Sequence, residues 1–176
     1  MQPLTASELM DGLDHILAAP PDVGTVELIA VRPSVDARRV VDEAVLDPQL
    51  GVVGDRWRQQ SRNGDPANQV TLMNARCADL VAQARDRWSL AGDQLYVDFD
   101  LSVVNLPAGS RLRVGTALIE ISTRPHTGCS KFANRFGADA LRFVNGEVGA
   151  PLRLRGVNAS IVEAGRVSTG DKVEKV

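Results

Sequence analysis

Cysteine is scarce in this chain of 176 residues: it occurs twice, at positions 77 and 129. Two thiols so far apart make neither a disulfide framework nor a zinc-ligand spacing. Long apolar runs are missing too. Nothing approaches the ~20 residues that a membrane-spanning helix needs. The opening Met-Gln-Pro-Leu-Thr lacks the basic-then-apolar pattern of a secretory leader. A reducing, cytoplasmic setting without a membrane partner is the expectation. Histidine is limited to His15 and His126. One lies off the apolar stripe of a helix and the other beside Cys129, so a serine nucleophile has little to activate it. No phosphate-binding loop with Gly-Lys-Ser/Thr occurs, and Gly51-Val-Val-Gly54-Asp55 lacks the strand–GxGxxG–helix setting of a dinucleotide site.

What is present fits one globular domain. Hydrophobic residues make up 44% and charged residues 24%, enough apolar side chain for a core in a chain of this length. The net charge of −2 is unevenly spread. Residues 1–100 carry 9 Arg and no Lys against 16 acidic residues, and residues 101–176 carry 11 basic against 6 acidic. The two halves are not separate domains, so no nucleic-acid tail is implied. The excess does predict that an anionic ligand is held by the C-terminal half.

Periodicity predicts a helix over 5–19, capped by Thr5 with Glu8 in a capping box and ended by Pro20-Pro21. Strands are expected at 24–32, 38–46 and 69–73. A clear amphipathic helix follows Asn74 over 75–88, with Cys77, Leu80, Val81, Ala84 and Trp88 on one stripe. Short strands are expected at 94–99, 101–105, 111–114, 117–123, 151–156 and 158–163, with a last one after Gly170-Asp171. Short helices are expected at 130–136 and 138–145, closed by Gly137 and Gly146. Many short strands and one strong mid-chain helix predict a mainly β, α+β fold, a mixed barrel with peripheral helices. Residues 1–23 read as an N-terminal helix and linker, and 24–176 as the barrel.

The chemistry concentrates in Arg124-Pro125-His126-Thr127-Gly128-Cys129-Ser130-Lys131, which follows a strand and opens a helix. A cysteine at a helix start feels the positive end of the dipole, which lowers its pKa. His126 and Lys131 flank it, and from Ile121 to Ala138 no residue is acidic, while Arg124, Lys131 and Arg135 are basic. A thiolate there is a nucleophile or a metal ligand. Gly128 lets backbone approach a ligand closely. The competing reading packs Cys129 as a small core residue, as Cys77 on its apolar stripe is expected to be.

These segments, in this order, resemble a MOSC domain, named for the C-terminal domain of molybdenum cofactor sulfurases. Gly51-Val-Val-Gly54-Asp55 resembles the family's early Gly-Asp element, and Asn68-Gln-Val-Thr71-Leu-Met-Asn74 its Gln-Val-Thr-Leu strand. Leu106-Pro107-Ala-Gly109 and Gly115 resemble its turns, Cys129-Ser130-Lys131 its Cys-x-Lys, and Gly165-Arg-Val-Ser-Thr-Gly170-Asp171 its closing element. The chain departs from the pattern at Trp57, where histidine is common, and at Pro125-His-Thr-Gly128, where proline usually adjoins the cysteine. The resemblance implies a strand-rich, barrel-like fold. It implies a cysteine that carries sulfur as a persulfide or ligates molybdenum in a pterin cofactor, and some stand-alone members reduce N-hydroxylated compounds. Carried to this sequence, Cys129, His126 and Lys131 are the candidate catalytic residues and Cys129 the metal ligand. Arg124, Thr127, Gly128, Cys129, Lys131 and Arg135 are the candidate cofactor-binding residues, with basic side chains meeting the cofactor's phosphate. The implied partners are a small-molecule substrate or sulfur donor and a redox partner protein. The alternative is a non-catalytic anion or small-ligand binding module with a packed cysteine.

Overall fold

The computed structural model describes residues 1–60 and 65–176. Its strands are β1 (Val23–Val31), β2 (Arg39–Val41), β3 (Glu43–Asp47), β4 (Gly51–Val52), β5 (Val70–Asn74), β6 (Leu95–Asp98), β7 (Arg111–Val114), β8 (Ala117–Ile121), β9 (Val157–Glu163), β10 (Gly165–Ser168) and β11 (Lys172–Lys175). Its helices are α1 (Ala6–Asp11), α2 (Leu13–Leu17), α3 (Trp57–Gln60), α4 (Ala75–Ala82), α5 (Ser130–Phe136), α6 (Ala138–Asn145) and α7 (Gly149–Leu152). Seven strands close a mixed β-barrel in the order β1-β11-β7-β8-β9-β5-β6 and back to β1. Among the described strands only β5 and β6 run parallel, because α4 and the 3₁₀ turn Arg85–Ala91 carry the chain across between them. Strand β2 extends the sheet beyond β1, and β10, β3 and β4 form a separate small sheet.

Two cores follow from this closure. Val26, Ile29, Leu72, Leu95, Val97, Phe99, Leu112, Ile119 and Ile161 belong to the barrel cluster. Leu9, Ile16, Met73, Cys77, Val81, Trp88, Tyr96, Phe132 and Phe136 form a second cluster between barrel and helices. Strand β1 serves both, since Val26 and Ile29 join the first and Leu28 and Ala30 the second. A strict alternation along β1 would put Val26 and Leu28 on one face, and it fails because the β1–β6 register shifts between these two residues. One extra residue there turns the strand's faces over.

Other differences from the sequence expectation have local causes. The capping box of Thr5 and Glu8 is present, but the first helix breaks at Gly12. The helix after Asn74 ends at Ala82, where Gln83 turns left-handed with φ 60°, and Trp88 packs from the 3₁₀ turn instead. The apolar stripe continued past the point where the backbone turned, so side-chain periodicity overran the helix. Residues 101–105 form a turn, not a strand. Residues 151–156 hold the end of α7 and a left-handed Arg153, because their apolar positions bury against the helical layer and not in a ladder. By contrast α5 and α6 have the expected bounds and both end at glycine.

Candidate functional site

Strand β8 ends at Ile121, and the chain crosses the end of β9 before entering α5. Two asparagines hold this crossing. Asn158 Nδ2 donates to Arg124 O at 3.3 Å and to Pro125 O at 3.1 Å. Asn145 accepts from Gly128 N at 2.8 Å and donates to Gly128 O at 3.1 Å. These bonds satisfy backbone groups that an irregular segment would otherwise leave open. Gly128 lies close to α6: a Cβ there would stand 2.6 Å from Leu141 Cδ1 and make that side chain shift.

Cys129 is exposed and stands at the N-cap of α5. Its side chain closes no cap hydrogen bond, but the Phe132 amide, with help from the Lys131 amide and the charges of Arg155 and Arg135, holds the thiol below its ordinary pKa. Cys77 is its opposite. It is fully buried, donates to Leu154 O at 3.3 Å, and burial pushes its pKa up to about 12.

Beside the crossing lies a cavity of about 260 Å³. Arg124, His126, Thr127, Asn145, Arg153, Arg155 and Asn158 are in its wall, which among the described residues contains no carboxylate. All the wall residues lie between Val103 and Asn158, within the basic half of the chain. Of the residues expected at the site, Arg124, His126 and Thr127 line this cavity, whereas Gly128, Cys129, Lys131 and Arg135 do not. Lys131 points across to Asp36, with Nζ 3.3 Å from Oδ1, and Arg135 donates to Leu90 O at 2.7 Å. Arg124 pairs with Asp65 at 3.0 Å. The acid-free stretch is therefore acid-free only along the chain. Folding brings Asp36, Asp65 and Asp93 against it.

Asp93 and Arg155 are the residues that sequence reasoning missed. Asp93 has a fully buried side chain, and Arg155 Nη1 donates to its Oδ2 at 2.6 Å. Three arginines grip the turn just before it. Arg135 donates to Leu90 O, Arg155 to Ala91 O at 2.9 Å, and Arg32 to Gly92 O at 3.0 Å. Arg32 is itself held by Asp55 of the Gly-Asp element through Nε at 2.8 Å and Nη2 at 3.0 Å. Asp93 faces His126 Nδ1 at 3.4 Å. Desolvation lowers the His126 pKa to about 4 against the pull of Asp93, so the imidazole is neutral near pH 7 and adds no cationic charge to the cavity. The one sequence signal for Asp93 is a carboxylate two positions before the apolar run of β6.

This overall fold is shared with known structures. A hypothetical protein superposes with TM-score 0.60 at 24% identity, covering 88% of this chain and 67% of the other. YuaD from Bacillus subtilis gives TM-score 0.58 at 15% identity, covering 87% and 95%. YiiM from Escherichia coli gives 0.57 at 21% identity, covering 86% and 69%. The fold is MOSC-like. No protein-family model and no curated protein matches the chain. Among the described residues no helix is long and apolar enough to cross a membrane, and no three His, Cys, Asp or Glu side chains converge as a cation site.

Proposed function

We propose that this MOSC-like protein works through Cys129, as a carrier of sulfur in a persulfide or as the thiolate ligand of a molybdenum–pterin cofactor. The observation that carries the reading is the contrast between an exposed, acidified Cys129 at the start of α5 and a buried Cys77 held near 12. A thiolate that is both accessible and ionised is the form that attacks sulfur or binds a soft metal.

The donor set is compatible with the cofactor. One accessible thiolate, with no three metal-ligating side chains converging among the described residues, would suit a metal that brings its own sulfur ligands. The adjoining wall supplies Arg124, Arg153 and Arg155, and Arg155 Nε is buried with no partner of its own. In this reading Cys129 holds the metal, Arg124 and Arg155 meet the anionic end of the cofactor, and Thr127 and Gly128 carry the backbone between them. The bound group supplies two-electron redox chemistry, such as reduction of an N-hydroxylated compound. A sulfur donor or redox partner protein reaches Cys129 directly, since it is exposed among the described residues.

One observation favours the alternative of a plain anion-binding module: Cys129 does not line the cavity. The deciding experiment expresses the protein in a host that makes the cofactor and measures molybdenum, pterin and cysteine-bound sulfane sulfur by mass spectrometry. Either a stoichiometric cofactor or a persulfide on Cys129, lost in Cys129→Ser, supports the thiol reading. Neither one in the wild type leaves the anion-binding module.

A further inference from the structure

Asp93 and His126 face each other in an arrangement that thiol chemistry does not use. Asp93 spends one carboxylate oxygen on Arg155, and its Oδ1 is buried without a hydrogen bond. His126 Nδ1, also buried and unbonded, stands 3.4 Å away. Two buried polar atoms left so close are costly unless one turns a proton toward the other. A carboxylate that accepts from Arg155 has no proton to give, so the ring must carry it on Nδ1. A neutral imidazole has one N–H, and Nε2 then holds a lone pair. Nδ1 is sealed from solvent, while 17% of the His126 side chain remains exposed in a residue of the cavity wall. Nε2 is thus the ring nitrogen available to a ligand.

The groups around this ring come from four segments. Asp93 lies before β6, Arg155 and the backbone of Gly156 before β9, Arg32 after β1, and Arg124 on the ring's own crossing. Arg155 and Arg32 oppose a second proton on the ring, and Asp93 favours one. Gly156 has φ +105° and packs so tightly that a Cβ would collide with Leu72 O and stand 3.4 Å from His126 Nδ1. The ring is therefore held from the backbone side as well.

We propose that Asp93 is a positioning residue that fixes His126 as an Nδ1–H imidazole, whose Nε2 accepts a hydrogen bond from the cavity's ligand, so that the cavity selects oxyanions that carry a proton. The arginines of the wall attract an anion of any kind. A fully deprotonated oxyanion, however, meets the Nε2 lone pair with lone pairs of its own, whereas a hydrogen-bearing one donates to it. Such a site discriminates by penalising the ligand that lacks the donor. The inference rests on the cavity being part of the site proposed above, but not on the thiol.

Inorganic phosphate and sulfate are the probes, because near neutral pH phosphate keeps a proton and sulfate has none. Calorimetry on the full chain at about pH 7 should show phosphate binding at least ~10-fold tighter than sulfate. His126→Leu should abolish that preference. Asp93→Asn offers an amide N–H to Nδ1, draws the ring proton to Nε2, and should reverse it. Nitrogen NMR of the wild type should show the Nδ1–H form at about pH 6, with exposed His15 as internal reference, and this readout stands even if Asp93→Asn fails to fold. Equal or tighter sulfate binding, no binding of either anion, or a ring protonated or Nε2–H at that pH overturns the inference. Cys129→Ser should keep the phosphate preference, so loss of the thiol chemistry and loss of the selectivity are read separately.

Discussion

Alkylation at about pH 8 should separate the two thiols of this chain by far more than their sequence contexts suggest. With its pKa pushed up to about 12, roughly one Cys77 in 10⁴ is ionised at that pH. A thiol at the ordinary ~8.5 is about a quarter ionised at that pH, ~10³-fold more than Cys77. Cys129 is held below its ordinary value, so its thiolate share is larger still. A less basic thiolate is intrinsically a weaker nucleophile, by ~0.4–0.5 log units per pKa unit, which for such an ordinary thiol takes back ~25–60-fold. Ionisation alone still favours Cys129 by more than ~10-fold. Access widens the gap, because Cys77 has 0% exposure and meets reagent only when the second core opens. The assay is iodoacetamide labelling of folded, verified metal-free protein, read per cysteine by mass spectrometry, with a denatured control in which the difference should collapse. Comparable rates in the folded protein, or a Cys129 that stays inert until unfolding, would refute the argument and leave Cys129 as a packing residue.

Three further outcomes follow from the site. The His126 pKa is about 4 when folded against an ordinary 6.5, so between these values the unfolded chain binds more protons; stability falls as pH drops from about 6.5 to about 4, by up to ~3 kcal/mol, and His126→Gln should flatten that part of a urea-melt series. Arg155→Met strips the cation from a fully buried Asp93 and should cost ~3–5 kcal/mol by denaturant unfolding, largely restored by adding Asp93→Leu; a loss under ~1 kcal/mol for the single change would count against the pair. Lys131→Ala should change stability by less than ~0.5 kcal/mol and leave phosphate affinity unaltered in calorimetry, because Nζ sits on the surface with Asp36 and outside the cavity; a clear loss of affinity would return Lys131 to the site.

Local chemistry determined what was local. The capping box at Thr5, the Asn74 cap and the bounds of α5 and α6 all depend on residues within a few positions of one another, so the sequence alone carried them, whereas the exposure of Cys129 was settled only by the fold. The mixed barrel was legible for a related reason, since short strands at close spacing leave few ways to bury both faces. Where backbone and side-chain patterns part company, only the tertiary structure decided. The bulge after Val26 reverses the faces of β1, and the left-handed Gln83 and Arg153 end segments whose apolar pattern runs on. The site shows the same division. Cys129 was visible beside its helix start, but the groups that set its surroundings come from distant segments. Asp36 pairs with Lys131 outside the cavity, Asp65 pairs with Arg124 at its wall, and Arg155 with Asp93 frames His126. Charge counted along a chain describes only covalent neighbours. Electrostatic energy follows distance in space and burial, and both exist only once the barrel has closed.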